Sequence, residues 1–352
     1  MKNSLTIKTT KGLFTIRPYK PGDEARILPS WQAAFGKEMP LAHWRWKYIE
    51  NPAGFRCMLC VAEDGTVVVH YAAQVMRINF QNKTILGLHL TDSFSHPKFR
   101  WALGGKSGLF VKTGWVFLKT YLEKISVPQD LSLATTLPKA QFHYGFPGER
   151  HFRLGIKLLT YRLHRPGVLY LRRKASPSKR ITGLFKNRLE MIALKEIFHW
   201  EPLDSFWQKI YRQLNPFCIL RDSSFLKWRF AKKPESNYFL FFLKTFWRKK
   251  IKAWIILNID KKNHLLRILD CLAENQIDLT EVLQRIAIEF KEYDMEVWLA
   301  GNHYLTQAFL DAGFLSEKEP LGIYPCTRCD MENVDPDKAD LFLWTMGDAD
   351  LF

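Results

Sequence analysis

The chain has 352 residues, of which 47% are hydrophobic and 25% charged, and this balance excludes an intrinsically disordered protein. The length exceeds that of one ordinary core and predicts two domains. No apolar run approaches the roughly 20 residues that cross a bilayer, and no secretory signal is visible. Six cysteines in a long chain without such a signal favour reduced thiols, so we expect a cytoplasmic protein.

The chain is strongly basic, with 52 Lys and Arg against 35 Asp and Glu and a formal net charge of +17. Such a surplus favours a polyanionic partner, which includes nucleic acid, anionic lipid, an acidic glycan or a phosphorylated cofactor. It is equally typical of a charge that serves solubility alone. Net charge therefore leaves the partner open and says nothing about the fold.

Hydrophobic periodicity divides the first half of the chain into alternating strands and helices. A first strand ends at Pro18, and Asp23 is the predicted cap of the helix that follows. A three-stranded meander leads to a loop over 95–108 that contains three glycines. The predicted strands cover 13–17, 56–63, 66–80, 84–94, 131–135 and 161–171, and the predicted helices cover 24–35, 41–48, 109–124 and 148–159.

A basic segment separates this half from the next. Residues 172–188 contain seven basic residues and no acidic one, which is typical of a solvated linker. We predict an N-terminal domain over 1–171, a linker over 172–188 and a C-terminal domain over 189–352. In the second half the predicted helices cover 203–214, 225–230, 279–290 and 304–312, and the predicted strands cover 238–245, 251–259, 265–271 and 296–300.

The two halves share a short motif in the same place. Trp44-Arg45-Trp46 is followed by Pro52, and Trp228-Arg229-Phe230 is followed by Pro234. In both halves the motif lies between an N-terminal helix and the first long pair of strands. The common position indicates an internal duplication.

The order of elements resembles the GNAT acetyltransferase fold, once in each half. The segments FGKEMPLAHWRWKYIENPAG, HPKFR and YGFPGERHFRLG resemble those of bacterial tandem GNAT proteins. The resemblance implies an α+β fold with mixed sheets, two tandem GNAT-like acyl-CoA N-acyltransferase domains, and acetyl-CoA as co-substrate. It implies direct acetyl transfer to an amine acceptor, either a small molecule or a glycan, and the sequence does not choose between them.

The resemblance also implies a cofactor site. In the family, the loop after a central strand holds the pyrophosphate of acetyl-CoA on backbone N–H groups at a helix N-terminus. Here that loop joins the strand 84–94 to the helix that begins near 109. It departs from the family pattern, which requires glycine where Leu103 stands. The implied cofactor-binding residues at the strand end and in the loop are Ser93, Phe94, Arg100, Gly104, Gly105, Lys106, Ser107 and Gly108.

Acyl transfer to an amine needs a base for the amine and an acid for the leaving thiolate. Asp92, at the end of the central strand, is the predicted base. The family's acid is a Tyr on a later helix, and that position holds Gly155 in the first half and Phe309 in the second. Tyr144 is the predicted substitute for the acid. Neighbouring alternatives are His143 and Tyr161.

The second half lacks a glycine-rich loop. Asp270 to Asn275 replaces it, and the two carboxylates of this segment would repel a pyrophosphate. We therefore predict a degenerate C-terminal domain. Two other functions stay open: an aminoacyl-tRNA-dependent transferase of the Fem type, which the net charge favours, and a catalytically inactive GNAT-derived binding protein. Nucleic acid is not the favoured partner, and the oligomeric state is open.

Two further patterns in the sequence each fit more than one interpretation. The CxxC pairs Cys57/Cys60 and Cys326/Cys329 suggest zinc, but the first lies in a predicted strand whose alternate residues face opposite sides, so we predict no metal. Basic and aromatic residues mix along 244–254. This pattern fits a strip that binds bases and phosphates, and it also fits a hairpin with one buried face, which we favour.

Overall fold

The structure is a computed structural model, in which the chain divides into two compact units. It describes residues 3–10, 12–102, 108–125, 132–159, 161–164, 167–176, 187–197, 199–247, 249–328, 341, 343–349 and 351. The first unit comprises Met1–Ile78, Thr84–His164 and Ile323–Pro336, and the second comprises Asn79–Lys83, Arg165–Gly322 and Asp337–Phe352.

Strands and helices alternate in both units. The strands are β1 (Leu5–Thr9), β2 (Gly12–Pro18), β3 (Phe55–Ala62), β4 (Val67–Phe80), β5 (Lys83–Ser95), β6 (Phe142–Gly145), β7 (Arg162–Leu163), β8 (Val168–Arg173), β9 (Asn187–Ala193), β10 (Cys218–Ile219), β11 (Tyr238–Thr245), β12 (Ile251–Asp260), β13 (Leu265–Ala273), β14 (Asp294–Ala300), β15 (Leu315–Glu317) and β16 (Cys326–Arg328). The helices are α1 (Glu24–Phe35), α2 (Leu41–Tyr48), α3 (Leu109–Tyr121), α4 (Glu149–Leu154), α5 (Glu201–Leu214), α6 (Ser223–Leu226), α7 (Gln276–Glu289) and α8 (Thr306–Asp311).

The sheet of the first unit has helices packed on both faces. Its strand order is β1-β2-β3-β4-β5-β6-β16-β7, and β5 pairs with β6 in parallel. Alternate residues of β3 enter different cores. Met58 and Cys60 pack in the cluster that includes α3, whereas Cys57 and Leu59 pack in the cluster that includes α1 and α2. The period of two along β3 places the thiols of Cys57 and Cys60 on opposite faces, as predicted.

The second unit repeats this plan. Its strand order is β15-β8-β14-β13-β12-β11-β9, with β13 and β14 parallel. Apart from the two-residue strand β10, the series β9, α5, α6, β11, β12, β13, α7, β14, α8 matches the series β2, α1, α2, β3, β4, β5, α3, β6, α4. Trp44 on α2 and Trp228 just after α6 are both buried. The predicted duplication is confirmed.

Each sheet contains one strand that follows, in sequence, the strands of the other sheet. β8 follows β7 in sequence but pairs with β14 and β15 in the second sheet. β16 follows β15 but pairs with β6 and β7 in the first sheet. The two strands occupy corresponding places, so the halves have exchanged a strand. The units therefore do not divide the chain at the predicted boundaries 171/172 and 188/189, and residues 177–186 of the predicted linker lie outside the described residues.

Two local predictions were wrong. Residues 132–135 are not a strand, and β6 forms further along the chain. The predicted single strand over 161–171 is two strands, β7 and β8, because Gly167 has a φ of +77° that no regular strand tolerates. None of the helices in the described part of the chain combines the length and apolarity needed to cross a bilayer.

Candidate active site

A cavity of about 640 Å³ opens in the first unit where two parallel strands separate. The pairing of β5 with β6 ends at His89 and Tyr144. Beyond that point the cavity is lined by the end of β5, by the first turn of α3 and by α4 with the residue before it. Its lining is largely apolar and includes Phe94, Phe110 and Leu154. A cavity of this size and character is typical of a small-molecule or cofactor site.

Part of the predicted cofactor set lies at this cavity. Ser93, Phe94 and Arg100 line it, and Gly108 is the N-cap residue of α3. No side chain among the described residues caps the N-terminus of α3, whose first backbone N–H groups can therefore bind another acceptor. The predicted residues Gly104, Gly105, Lys106 and Ser107 lie outside the described residues.

Two arginines add positive charge to the cavity wall. Arg100 lies in the short helical turn after β5, where its Nε donates to the backbone oxygen of Ser95 at 3.2 Å. Arg150 lies in the first turn of α4 and is exposed. A guanidinium group has several N–H donors and binds phosphate oxygens well. With the uncapped helix, the two arginines make this end of the cavity suitable for an anion.

The predicted base, Asp92, lies behind the cavity rather than in its lining. The Lys47 ammonium is 2.6 Å from its Oδ2, and the Tyr48 hydroxyl donates to the same oxygen at 2.7 Å. The backbone oxygen of Asp92 is 2.8 Å from Nδ1 of His70. Asp92 also has a φ of +49°, which interrupts the regular alternation of β5 just before Ser93 enters the lining. A buried cation thus holds the Asp92 carboxylate in place.

The predicted acid, Tyr144, also lies outside the lining. It is buried on β6, where its ring stacks on His89 with centroids 4.8 Å apart and planes 1° apart. Its strand neighbours are β5 on one side and β16 on the other. The structure brings Tyr144 close to the point where the strands separate but does not place it in the wall of the cavity.

A titratable residue that we did not predict does line the cavity. Burial lowers the pKa of His151, on α4, to about 4, so the imidazole is neutral at pH 7. Its ring stacks on Tyr161 and meets Phe110 edge to face. The hydroxyl of Tyr161 is 2.5 Å from that of Tyr71. In sequence, nothing distinguishes His151 from a histidine on a solvated helix face.

The structure leaves no room for a side chain at Gly155. A Cβ at residue 155 would stand 2.1 Å from Cδ2 of Tyr161 and 2.5 Å from its Cε2. The ring of Tyr161 therefore fills the space that a side chain at residue 155 would need. Tyr161, which the sequence analysis gave as an alternative acid, is the aromatic residue nearest to residue 155.

Gly155→Ala is expected to destabilise the protein, although its backbone is helical, where alanine normally stabilises by about 1 kcal/mol. The overlap with Tyr161 costs on the order of 1–3 kcal/mol, which outweighs that gain and makes the substitution destabilising. Thermal unfolding of the purified variant measures the effect. In a Tyr161→Ala background, the same substitution is expected to be neutral or stabilising. A higher Tm for Gly155→Ala alone would contradict the steric argument.

The corresponding site in the second unit is closed by its own side chains. Asn275 caps α7 by accepting from the N–H of Asp278 at 2.9 Å. Glu274 accepts from Lys209 at 2.5 Å and from Lys252 at 3.1 Å. Asp270 is buried against Arg221 rather than facing a loop. The carboxylates that we expected to repel a pyrophosphate are thus neutralised, and the helix N-terminus is already occupied.

The five described cysteines are buried thiols that are poorly suited to nucleophilic chemistry. Cys57, Cys60, Cys218, Cys271 and Cys326 are free and buried, and burial raises the pKa of every one of these thiols. A thiol with a raised pKa is protonated at pH 7 and a poor nucleophile. Within the described ranges no group of three His, Cys, Asp or Glu residues is arranged to hold a metal, and Cys329 lies outside those ranges.

Comparison with known proteins bears on the fold. No protein-family model and no curated protein matches the chain. Among solved structures it is similar to a GCN5-related N-acetyltransferase from Anabaena variabilis ATCC 29413, with a TM-score of 0.62 and 12% identity over 90% of this chain and 72% of that one. A probable N-acyltransferase from Enterococcus faecalis V583 gives a TM-score of 0.60 and 11% identity over the same shares.

A third similar structure is a tandem GNAT protein from the clavulanic acid biosynthesis pathway. Its TM-score is 0.52 at 9% identity, and the match covers 90% of this chain and 98% of that one. Identities this low show a common fold. The chain is therefore built from two GNAT-like domains in tandem, with mixed α+β architecture in each, and the predicted fold class is confirmed.

Proposed function

We propose that the protein is an acyl-CoA-dependent N-acyltransferase whose donor occupies the cavity of the first unit. The observation that supports this most is a single cavity with two kinds of wall. One part is apolar, and another carries Arg100, Arg150 and the uncapped N-terminus of α3. A donor with a diphosphate at one end and an uncharged thioester arm at the other suits both parts.

The donor-binding residues follow from this arrangement. We propose that the first N–H groups of α3, next to Gly108, bind the diphosphate together with Arg100 and Arg150. Gly104, Gly105, Lys106 and Ser107 remain proposed members of the same anion site. Ser93 and Phe94, at the end of β5, would lie along the thioester arm. Acetyl-CoA, when bound, supplies the acetyl group as a thioester.

Transfer requires a proton to leave the amine and another to reach the thiolate. The amine nitrogen bonds to the thioester carbon, the C–S bond breaks, and the acceptor proton must pass to the protein or to water. We propose His151 as the group nearest the reacting atoms, because it is neutral and lines the cavity. Asp92 would act behind the lining, through water, and Tyr144 remains the proposed acid on β6.

The properties of the described cysteines favour direct transfer of the acyl group over a mechanism with an acyl-cysteine intermediate. An acyl-cysteine would need a thiolate, and the five described thiols are buried with raised pKa values. Free thiols also agree with a reducing compartment, so we propose a cytoplasmic location. For the acceptor, we propose an amine on a small molecule or a glycan. The Fem-type alternative differs from this function in its donor, which is an aminoacyl-tRNA. The inactive alternative differs in that it binds without turnover.

Acetyl-CoA titrated calorimetrically into the full chain is expected to bind in the micromolar range. Arg100→Ala and Arg150→Ala should each weaken binding about tenfold or more, since each removes a charge-assisted bond. Arg26→Ala is the matched control, because Arg26 is an exposed arginine of the same unit that does not line the cavity. His151→Asn should keep donor binding and lose transfer.

Other results would redirect the proposal. Absence of binding at millimolar acetyl-CoA would exclude the acyl-CoA donor. Retention of nucleic acid with a steep salt dependence would then favour the Fem-type transferase. Stoichiometric donor binding with no transfer to any amine in an acceptor screen would favour the inactive binding protein.

A further inference from the structure

The turn between β11 and β12 of the second unit presents two adjacent aromatic residues to solvent. Trp247 is 91% exposed and Phe246 is 66% exposed. The predicted hairpin with one buried and one wet face does not hold for the strands, because Ala253 to Leu257 of β12 are all buried. Core packing therefore accounts for the strands and leaves the exposed tip unexplained. Solvation of two large apolar side chains is unfavourable unless another surface covers them.

Lysines surround this tip in excess of carboxylates. Lys249 is exposed in the turn itself, at a φ of +48°. Three further lysines near the base share one carboxylate: Lys209, Lys250 and Lys252 are 2.5, 3.3 and 3.1 Å from Glu274. This crowding lowers the pKa of Glu274 to about 2. Lys252 also pairs with Asp278, so two carboxylates face three ammonium groups and the base of the tip keeps a surplus of positive charge.

A third apolar side chain lies at the same end of the sheet. Ile277, in the first turn of α7, is 81% exposed. It adjoins Asp278, whose Oδ2 is 3.0 Å from the ammonium of Lys252 on β12. Exposed apolar residues and a surplus of lysines over carboxylates thus occur together at the end of the second unit where β12 begins.

The ring geometry favours a lipid surface over single-stranded nucleic acid. The rings of Phe246 and Trp247 have centroids 5.6 Å apart and planes 77° apart. Two nearly perpendicular rings cannot both stack on successive parallel bases, which is how such strips bind single strands. A membrane interface imposes no such requirement, because it accepts aromatic rings in any orientation at the level of the headgroups.

We infer that the Phe246–Trp247 tip docks the protein onto anionic phospholipid membranes from outside the bilayer. Burial of the two rings in the interface supplies the apolar part of the binding energy. Lys249 and the lysines around Glu274 supply the electrostatic part, at about 1 kcal/mol for each cation close to an anionic surface. Both parts are needed, since neither two rings nor a few lysines suffice for stable attachment.

Co-sedimentation of the full chain with vesicles tests the inference. Vesicles of phosphatidylcholine containing phosphatidylglycerol are expected to bind it, and vesicles of phosphatidylcholine alone to bind it about tenfold or more weakly. The double variant Phe246→Ser/Trp247→Ser should lose about tenfold or more of the binding to anionic vesicles. Lys249→Glu should reduce binding and weaken its salt dependence.

A matched control is Leu315→Ser, which removes another exposed apolar side chain (70% exposed) from the edge strand β15 of the same unit. It should bind as the parent does. Unchanged thermal unfolding of all variants would show that they are folded. The inference is overturned if the parent fails to sediment with anionic vesicles or if the double variant binds them as well as the parent. It is also overturned if the double variant loses binding to a single-stranded oligonucleotide and keeps binding to vesicles.

Discussion

Residues 1–164, expressed without the rest of the chain, are expected to be insoluble or to unfold without a cooperative transition. This fragment holds every element of the first unit except the segment with β16. Without β16, β6 and β7 have no strand between them. The unpaired edge exposes backbone groups of β6 that are buried in the whole chain, and each such group costs roughly 1–3 kcal/mol.

The missing segment contributes more than strand pairing. Cys326 lies opposite Gly145 on β6 and opposite Leu163 on β7, and it is 1% exposed. The ring of Tyr324 stacks on that of Phe152 with centroids 4.8 Å apart. The backbone N–H of His164 donates to the oxygen of Pro325 at 2.9 Å. Loss of these contacts removes an interior strand of the sheet.

A rescue variant distinguishes the loss of β16 from a general effect of shortening the chain. Because β16 and β7 are antiparallel and His164 lies next to Pro325, a short Gly-Ser turn can join residue 164 directly to residue 323. The chimera 1–164/323–336 is expected to be soluble and to unfold cooperatively in urea. A chimera with the segment order scrambled is the control. Cooperative unfolding of 1–164 alone would show that β16 is dispensable.

The sequence predicted the long elements because their periodicity is local. The strand predicted over 238–245 coincides with β11, a run of apolar and aromatic residues within one element. α3 and α7 were predicted within three residues at their starts for the same reason: an amphipathic helix carries its own period of 3.6. The element order, and with it the duplication, follows from such local signals.

The exchanged strands could not be predicted, because their pairing depends on distant partners. β16 has three residues and β7 has two, too few for any alternation to be visible. β8 is longer, but nothing within it says which sheet it joins. The basic composition after residue 171 indicated a boundary, whereas the pairing of β8 with β14 decided where the units divide.

The candidate site was predicted in part for similar reasons. Glycines and cations after a central strand mark an anion loop locally, and Arg100 and Gly108 are at the cavity and at the start of α3. His151 enters the lining only because α4 packs beside the separated strands. Tyr161 fills the space beside Gly155 across several residues of chain. No spacing rule connects these residues, so the sequence offered Tyr161 only as one alternative among several.

Arg221→Met is expected to destabilise the second unit by about 3–5 kcal/mol, because it removes the cation that is hydrogen-bonded to two buried carboxylates. Nε of Arg221 donates to both oxygens of Asp270, at 3.0 and 2.9 Å, and another nitrogen of its guanidinium group donates to Asp348 at 2.7 Å. Arg221 and Asp270 are each 1% exposed, and Asp348 is 2% exposed. Arg172→Met is the control, since Arg172 pairs with Asp294 at 2.8 Å in a partly exposed site, where such a pair contributes about 0–1 kcal/mol.

The pH dependence distinguishes this mechanism from simple loss of packing. Burial raises the pKa of Asp270 to about 6, above the ordinary value of 3.8, even with Arg221 present, and it also raises the pKa of Asp348. A carboxyl group whose folded pKa is raised takes up its proton in the folded state first, so lowering the pH through about 6 stabilises the folded form relative to the unfolded one.

Without Arg221 both carboxyl groups should protonate at still higher pH. Urea unfolding followed by tryptophan fluorescence measures the free energy of unfolding. The loss of this free energy in Arg221→Met should be largest near pH 8 and should become smaller toward pH 5. Arg221→Met/Asp270→Asn should recover part of the loss at pH 8, because it removes one of the stranded charges. A deficit that is the same at both pH values would mean that Arg221 stabilises the fold by packing and by its bonds to the backbone oxygens of Ile219 and Leu343, and not by its charge.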